Sequence, residues 1–311
     1  MIISASRRTD IPAFYAKWFM DKIRKGRCVY YNPFNKKGYE ISLAPEDVDV
    51  IVFWSKNFEP MLPYLDELGA KYRLYFFYTI TGMGKPLEKN VIHVDRTIRS
   101  FQKIAEKFGP NQIQWRFDPI VLTNITNEDF YVERFKYIIS RLEGFTSRCY
   151  ISFVNMYNKV ERNFYELKKN HGIYLFRRNQ HQQRDLANRL AEIAAEKGIQ
   201  LYSCCNDFLV NKNIQKASCI DVNILNEVFG LDLSYKQTPT RKECGCYKSV
   251  DIGVYNTCPH GCVYCYANYD LKKAYENYRN HNEEYEFLVN MEIEVKKRLD
   301  KSKEFKQLSL F

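Results

Sequence analysis

The sequence predicts an α/β fold: a parallel sheet closed or partly closed as a (β/α) barrel, with a cysteine loop carried by its last strand. Three observations support this. Short runs rich in β-branched and aromatic residues alternate with helical patterns along the 311 residues, the order that builds parallel strands with crossover helices. Several runs end in polar strings, at the strand ends where barrel active sites assemble. No low-complexity stretch or 20–50-residue repeat argues for a solenoid or propeller.

In chain order, Ile2 to Ser6 is the first strand, and Phe14 to Lys25 follows as a helix with its basic residues towards the end. Val48 to Trp54 and Tyr72 to Ile80 are nearly continuous apolar runs, as expected for strands buried on both faces. Val94 to Phe108 repeats apolar residues at helical spacing, Ile113 to Phe117 is the next strand, and Asp129 to Leu142 the next helix. Cys149 to Val154, a helix over Gln183 to Lys197, Ile199 to Cys204 and finally Val250 to Val254 complete the series. Residues 1–282 form the expected barrel, including a cysteine-rich segment at 204–246. A charged helix from about Glu283 to Lys306 and a short tail, Gln307 to Phe311, follow.

With 45% hydrophobic residues the chain can bury a large core. No apolar run reaches the roughly 20 residues of a membrane span, and Met-Ile-Ile-Ser-Ala-Ser-Arg-Arg is too short and carries its charges too late for a signal peptide. The protein is therefore expected to be cytoplasmic, with no membrane partner. Ten cysteines in a reducing compartment hold metal or do chemistry more readily than they cross-link. Forty-seven Lys and Arg against thirty-seven Asp and Glu give a net charge of +10, and aromatics make up 15%, a balance that suits phosphate attraction and base stacking.

The densest chemical signal is Thr257-Cys-Pro-His-Gly-Cys-Val-Tyr-Cys-Tyr-Ala267, in which Cys258, Cys262 and Cys265 form a C-x3-C-x2-C set. Three thiolates on one loop suit three corners of a cubane cluster and leave the fourth iron without a protein ligand. A structural zinc and disulfides are the rival readings, weakened by the lack of a second paired ligand knuckle and by the expected compartment. The string resembles the signature of the radical S-adenosylmethionine (SAM) enzymes, with Tyr264 where that signature has an aromatic. The resemblance implies a [4Fe–4S] cluster that binds SAM, takes an electron from a donor such as flavodoxin or ferredoxin, and releases a 5′-deoxyadenosyl radical.

In that superfamily the cysteine loop follows the first barrel strand, whereas here it follows the last. The resemblance therefore implies a circularly permuted partial barrel of radical SAM type. Ser6-Arg-Arg-Thr-Asp-Ile-Pro12, Trp54-Ser-Lys-Asn57, Tyr78-Thr-Ile-Thr81 and Arg116-Phe-Asp-Pro-Ile120 are similar to strand-end strings of the spore photoproduct lyase branch. From Ile3 to about Asp270 the chain also resembles a bacterial family catalogued as domain of unknown function 1848, whose members carry this cysteine block near their end.

Cys204 (with Cys205 in reserve), Cys219, Cys244 and Cys246 supply four more thiolates, enough for a second [4Fe–4S] cluster or a zinc ion. Cys28 and Cys149 read as small buried hydrophobes. Asp10, Lys56, Arg116 and Asp118 are the candidate catalytic residues, charged groups at strand ends suited to the charges of SAM; Asp10 equally suits a helix cap. Thr79, Thr81, Tyr264 and Tyr266 are candidate cofactor-binding residues. Tyr174 to Arg184, basic with aromatics and amides, is the candidate substrate-facing insertion. Gln307-Leu-Ser-Leu-Phe311 resembles the pentapeptide by which bacterial repair proteins bind the sliding clamp, which with the charge implies DNA as a partner. The expected activity is radical SAM chemistry on a nucleic-acid base or DNA lesion. A radical SAM enzyme for a small metabolite or peptide, and a non-catalytic metal-binding module associated with DNA, are the alternatives.

Overall fold

The computed structural model describes residues 1–289 and 295–296. Its strands are β1 (Ile2–Ala5), β2 (Arg27–Asn32), β3 (Lys37–Ser42), β4 (Val50–Ser55), β5 (Leu74–Thr79), β6 (Ile113–Arg116), β7 (Arg148–Ile151), β8 (Gln200–Ser203), β9 (Ile214–Lys216), β10 (Val250–Asp251) and β11 (Val295–Lys296). The helices are α1 (Ile11–Phe14), α2 (Ala16–Lys25), α3 (Leu65–Gly69), α4 (Val94–Phe108), α5 (Glu128–Leu142), α6 (Asn158–His171), α7 (Gln180–Glu196), α8 (Val222–Phe229) and α9 (Leu271–Arg279).

Eight strands form one sheet in the order β10-β1-β4-β5-β6-β7-β8-β9, every pair of them parallel. From β1 onward each crossover moves in the same direction across the sheet. Right-handed connections then put the crossover helices on one face, as in a barrel rather than a doubly wound fold. β9 and β10 each pair on one side only, so the mixed α/β architecture is open and consistent with a partial barrel. A circular permutation would set the first strand beside the last, and these strands are neighbours: Ile3 pairs with Val250 and Ser4 with Asp251.

Alternation along the strands sorts the core into two parts. Ile3, Ala5, Ile51, Phe53, Phe76, Trp115 and Ile151 pack against the helices, and α4 seals that layer with Ile98, Phe101 and Ile104. Ile2, Val50, Val52, Tyr75, Phe77 and Tyr150 point to the other face, where Ala217, Ile220, Leu225 and Cys246 cover them. The cysteine-rich segment is thus a plug on the concave side of the sheet.

The expected helix over Phe14 to Lys25 is divided at Tyr15, because Asp10 caps an earlier turn by accepting from Ala13 N at 3.0 Å. The sequence reading passed over the β2–β3 hairpin, β9, α3, α6, α8 and α9. The expected charged helix is corrected where it can be seen. Glu283 to Val289 is non-helical and packs back on α2, with Trp18 Nε1 donating to Tyr285 O at 2.9 Å and Leu288 fully buried. Val295–Lys296 adds a parallel strand to β3. The remainder of that helix and the tail Gln307 to Phe311 lie outside the described residues.

One buried carboxylate joins the chain's distant strands. Asp251 accepts from Ser4 Oγ at 2.6 Å, Ser6 Oγ at 2.6 Å, Arg7 N at 2.8 Å and Gly253 N at 3.0 Å. Gly253 completes the joint, since a Cβ there would stand 2.0 Å from Ser6 Oγ. Burial pushes the Asp251 carboxyl up, but Arg8, Arg7 and the serine hydroxyls together hold it below its ordinary range. Asp251→Ala is expected to cost about 3 kcal/mol or more in denaturant unfolding, because four donors lose a charged acceptor. A depressed folded pKa contributes stability above the ordinary value of 3.8 that is lost as pH falls below it. The gap between wild type and variant should therefore shrink below about pH 4.

Candidate functional site

A cavity of about 340 Å³ opens at the C-terminal ends of the parallel strands, walled by the strand-end loops, the 240–249 segment and the cysteine loop. The loop leaves β10 and is held through many of its backbone groups as well as its side chains. Thr257 Oγ1 donates to Val254 O at 2.6 Å, and Asn268 Nδ2 to Cys258 O at 2.7 Å. Residues 87–90 strap it from the side: Val263 N donates to Leu87 O at 3.0 Å, Asn90 N to His260 O at 2.9 Å and Asn90 Nδ2 to Pro259 O at 2.8 Å. From α6, Asn163 Nδ2 reaches Val263 O at 2.8 Å.

Cys258, Cys262 and Cys265 all line the cavity. Burial pushes each thiol up, and Cys258 is raised further by Asp10 and by the other two. Three thiolates in this setting require a multivalent cation to compensate them, so the donor set fits an iron–sulfur cluster bound through three cysteines. As the side chains stand, no group of three or more His, Cys, Asp or Glu among the described residues is arranged to hold a metal ion.

The four candidate catalytic residues all reach the cavity wall, but each is already engaged. Asp10 caps α1 and also accepts from Ser55 Oγ at 2.6 Å and Lys56 N at 2.8 Å; its Oδ2 lies 2.7 Å from His260 Nε2. With both oxygens occupied, Asp10 positions the cysteine loop and is not a free base. His260, not among the residues expected at the site, is 3% exposed, and its Nδ1 has no hydrogen-bond partner among the described residues. Lys56 Nζ lies 2.7 Å from Glu88 Oε1, which also accepts from Thr81 Oγ1 at 2.8 Å and from Tyr264 OH. Burial lowers the Lys56 ammonium, yet Glu88 and Cys262 raise it above its ordinary range overall. Burial likewise pushes Glu88 up, and Lys56 and Tyr264 more than offset it.

Thr81 and Tyr264 are thereby committed to Glu88, whereas Thr79 lines the cavity. Tyr266 is 43% exposed and donates to Arg7 O at 2.5 Å. Arg116 forks onto Asp118, with Nε 2.9 Å from Oδ1, and its Nη1 lies 3.0 Å from Cys219 Sγ. Ser152 Oγ donates to Asp118 Oδ2 at 3.2 Å. Arg116 therefore links the strand-end charges to the upstream cysteines instead of standing free for a ligand.

Cys204, Cys219, Cys244 and Cys246 come together as expected, and Cys205 joins them. The sulfurs of Cys204 and Cys219 are 3.4 Å apart. Electrostatic interactions run from Cys205 to Cys204, Cys219, Cys246, Cys244 and back to Cys205, a ring of five interacting thiols in the wall of the same cavity. Cys28 and Cys149 are fully buried away from it, as the sequence suggested. The Tyr174 to Arg184 segment contributes nothing to the cavity, which corrects its expected substrate-facing role: Arg178 pairs with Glu128 at 2.6 Å and Asn179 caps α7. The hairpin supplies Tyr30, Asn32 and Phe34 instead, and Arg8 lies over Tyr30 at 5.8 Å and Tyr255 at 5.4 Å.

Over residues 2–267 the sequence matches the family described as Domain of unknown function (DUF1848). The chain belongs to that family. No curated protein matches it in sequence. Among solved structures, dihydropyrimidinase from Brevibacillus agri aligns at 13% identity over 53% of this chain and 36% of that one, with a TM-score of 0.28. The DUF1848 chain thus spans little more than a third of that enzyme, at a similarity too low to carry any functional inference.

Glu88 is the main acidic partner of the Lys56 ammonium, so Glu88→Ala should strand a buried cation and cost about 3–5 kcal/mol in chemical unfolding. Adding Lys56→Met should recover a large part of that loss. A double variant no more stable than Glu88→Ala would show that the pair is not coupled.

Proposed function

We propose that this DUF1848 protein is a radical SAM enzyme with a circularly permuted partial barrel, acting on a nucleic-acid base or DNA lesion in the manner of a repair lyase or a modifying enzyme. The observation that carries the reading is the place of the three-cysteine loop. It leaves an edge strand of a singly wound parallel sheet, beside β1, and its thiols enter a cavity at the C-terminal strand ends. When bound, a [4Fe–4S] cluster with one open iron would coordinate SAM and supply the electron that generates a 5′-deoxyadenosyl radical.

The chain's own residues suit that task. Cys258, Cys262 and Cys265 would hold the cluster, and the backbone straps at residues 87–90 and Asn163 keep their spacing. Asp10 fixes the loop through His260. The Lys56–Glu88 pair places charge beside Cys262 and Tyr264 without exposing it to solvent. Thr79 and Tyr266 offer hydroxyls at the wall for a polar ligand. Arg7 lies over Trp54 at 5.9 Å, and with Arg8, Tyr30 and Phe34 it gives the remaining wall a cationic and aromatic character suited to a phosphate and a planar base. That wall favours a nucleic-acid substrate over an uncharged metabolite.

Reconstituted anaerobically with iron and sulfide, the protein should cleave SAM to 5′-deoxyadenosine when reduced with dithionite, and DNA carrying photochemical lesions should stimulate turnover. Cys258→Ala, Cys262→Ala or Cys265→Ala should each lower cleavage at least 100-fold, about 2.7 kcal/mol in activation terms. Loss of cleavage in none of the three would rule out the radical SAM reading. Cleavage that is indifferent to DNA would move the substrate to a small metabolite or peptide.

A further inference from the structure

The five-thiol ring has no part in the chemistry above, yet it lines the same cavity. From it we infer a second metal centre: a [4Fe–4S] cluster ligated by Cys204, Cys219, Cys244 and Cys246, with Cys205 as an unligated fifth thiol facing the cavity. This goes beyond the proposed function and does not depend on it.

Thiol count argues against a single zinc ion. At a Zn–S bond of about 2.3 Å, four tetrahedral sulfurs sit about 3.8 Å from one another, and zinc has no place for a fifth. Here five thiols interact around one wall of the cavity, with Cys204 and Cys219 Sγ 3.4 Å apart, and a single zinc would leave one of them without a place. More thiols than a single ion can take suit a multi-iron core held by four of them, with one thiol left over.

The cations around the ring point the same way. Arg116 Nη1 lies 3.0 Å from Cys219 Sγ and Arg241 Nη2 lies 3.7 Å from Cys204 Sγ. Arg7, which interacts electrostatically with Cys246 and Cys219, keeps a buried Nη1 that has no hydrogen-bond partner among the described residues. Three guanidiniums around one set of thiols compensate a net-negative centre, and bridging sulfides would give their N–H groups acceptors beyond the four thiolates. Below the ring, Phe77 and Tyr150 flank Arg116 at 5.5 and 5.9 Å and exclude water from the inner face.

Cys205 is the natural odd thiol. It follows Cys204 directly, its φ is 54° where a side chain is strained, and it is half-buried where Cys204 is buried. That backbone turns two consecutive side chains towards the ring from one short loop, one as ligand and one towards the cavity.

The test is metal and sulfide analysis of the full chain, reconstituted anaerobically with ferrous iron and sulfide, for wild type and for C258A/C262A/C265A. Wild type should hold about eight irons, and the triple variant about four with matching acid-labile sulfide and a low-temperature EPR signal on reduction. C205A in the triple-variant background should keep those four irons. About four irons in wild type that vanish in the triple variant would overturn the second centre while leaving the proposed function standing. Four irons that survive the triple variant, with none lost from wild type, would uphold the second centre and refute the proposed function. Zinc without sulfide in the triple variant would also overturn the inference. Should that variant fail to fold, C204A/C219A decides the question: an iron count about four below wild type upholds the second centre, and an unchanged count overturns it.

Discussion

The Asp251 carboxylate, buried between β10 and β1, is the constraint on which the rest of the site depends. A carboxylate without water is costly, and this one is tolerable because two serine hydroxyls, two backbone amides and two arginines converge on it. Those partners belong to segments almost 250 positions apart, since Ser4 and Asp251 are separated by 247 residues. Satisfying one charge therefore fixes the register of the last core strand against the first. That register in turn sets where the cysteine loop emerges.

From this joint the cavity is built outwards by charges that answer one another in pairs. Asp10 meets His260 and Lys56 meets Glu88, each pair linking a strand end to another wall, while Arg116, paired with Asp118 at the end of β6, reaches Cys219. Such pairs add little net stability when buried, but they leave few alternative arrangements. The two groups of cysteines consequently face one space from opposite sides, one on the strapped loop and the other on the plug that covers the inner face.

What the sequence made legible is what local spacing encodes. Helix α4 was readable to its ends, because Val94, Ile98, Phe101 and Ile104 repeat at helical period and Gly109 stops it. The strands of the main sheet other than β9 were readable as apolar runs, and the adjacency of Ile3 and Val250 is what the permutation implied by the resemblance requires. The β2–β3 hairpin escaped notice because Tyr30, Tyr31 and Tyr39 mix with polar residues in a partly exposed ribbon, without clean alternation. Helix α8 had its signals, Asp221 as cap and Gly230 as stop, inside a segment read only for its cysteines. Glu88 and His260 acquire their roles from partners 32 and 250 positions away, which no periodicity reports.

The separation between β1 and β10 also orders events during synthesis. β1 can pair with β4 once about fifty residues exist, but its other edge stays open until Val250 and Asp251 have been made. Closing so long a loop costs more entropy than any neighbouring pairing, so this contact forms late. Until it does, the cysteine loop has no wall to enter and the β1 edge is an unpaired template for other chains. The cysteine loop consequently takes its place late, and a nascent or truncated chain that stops before β10 carries most of the sheet but lacks one wall of the cavity.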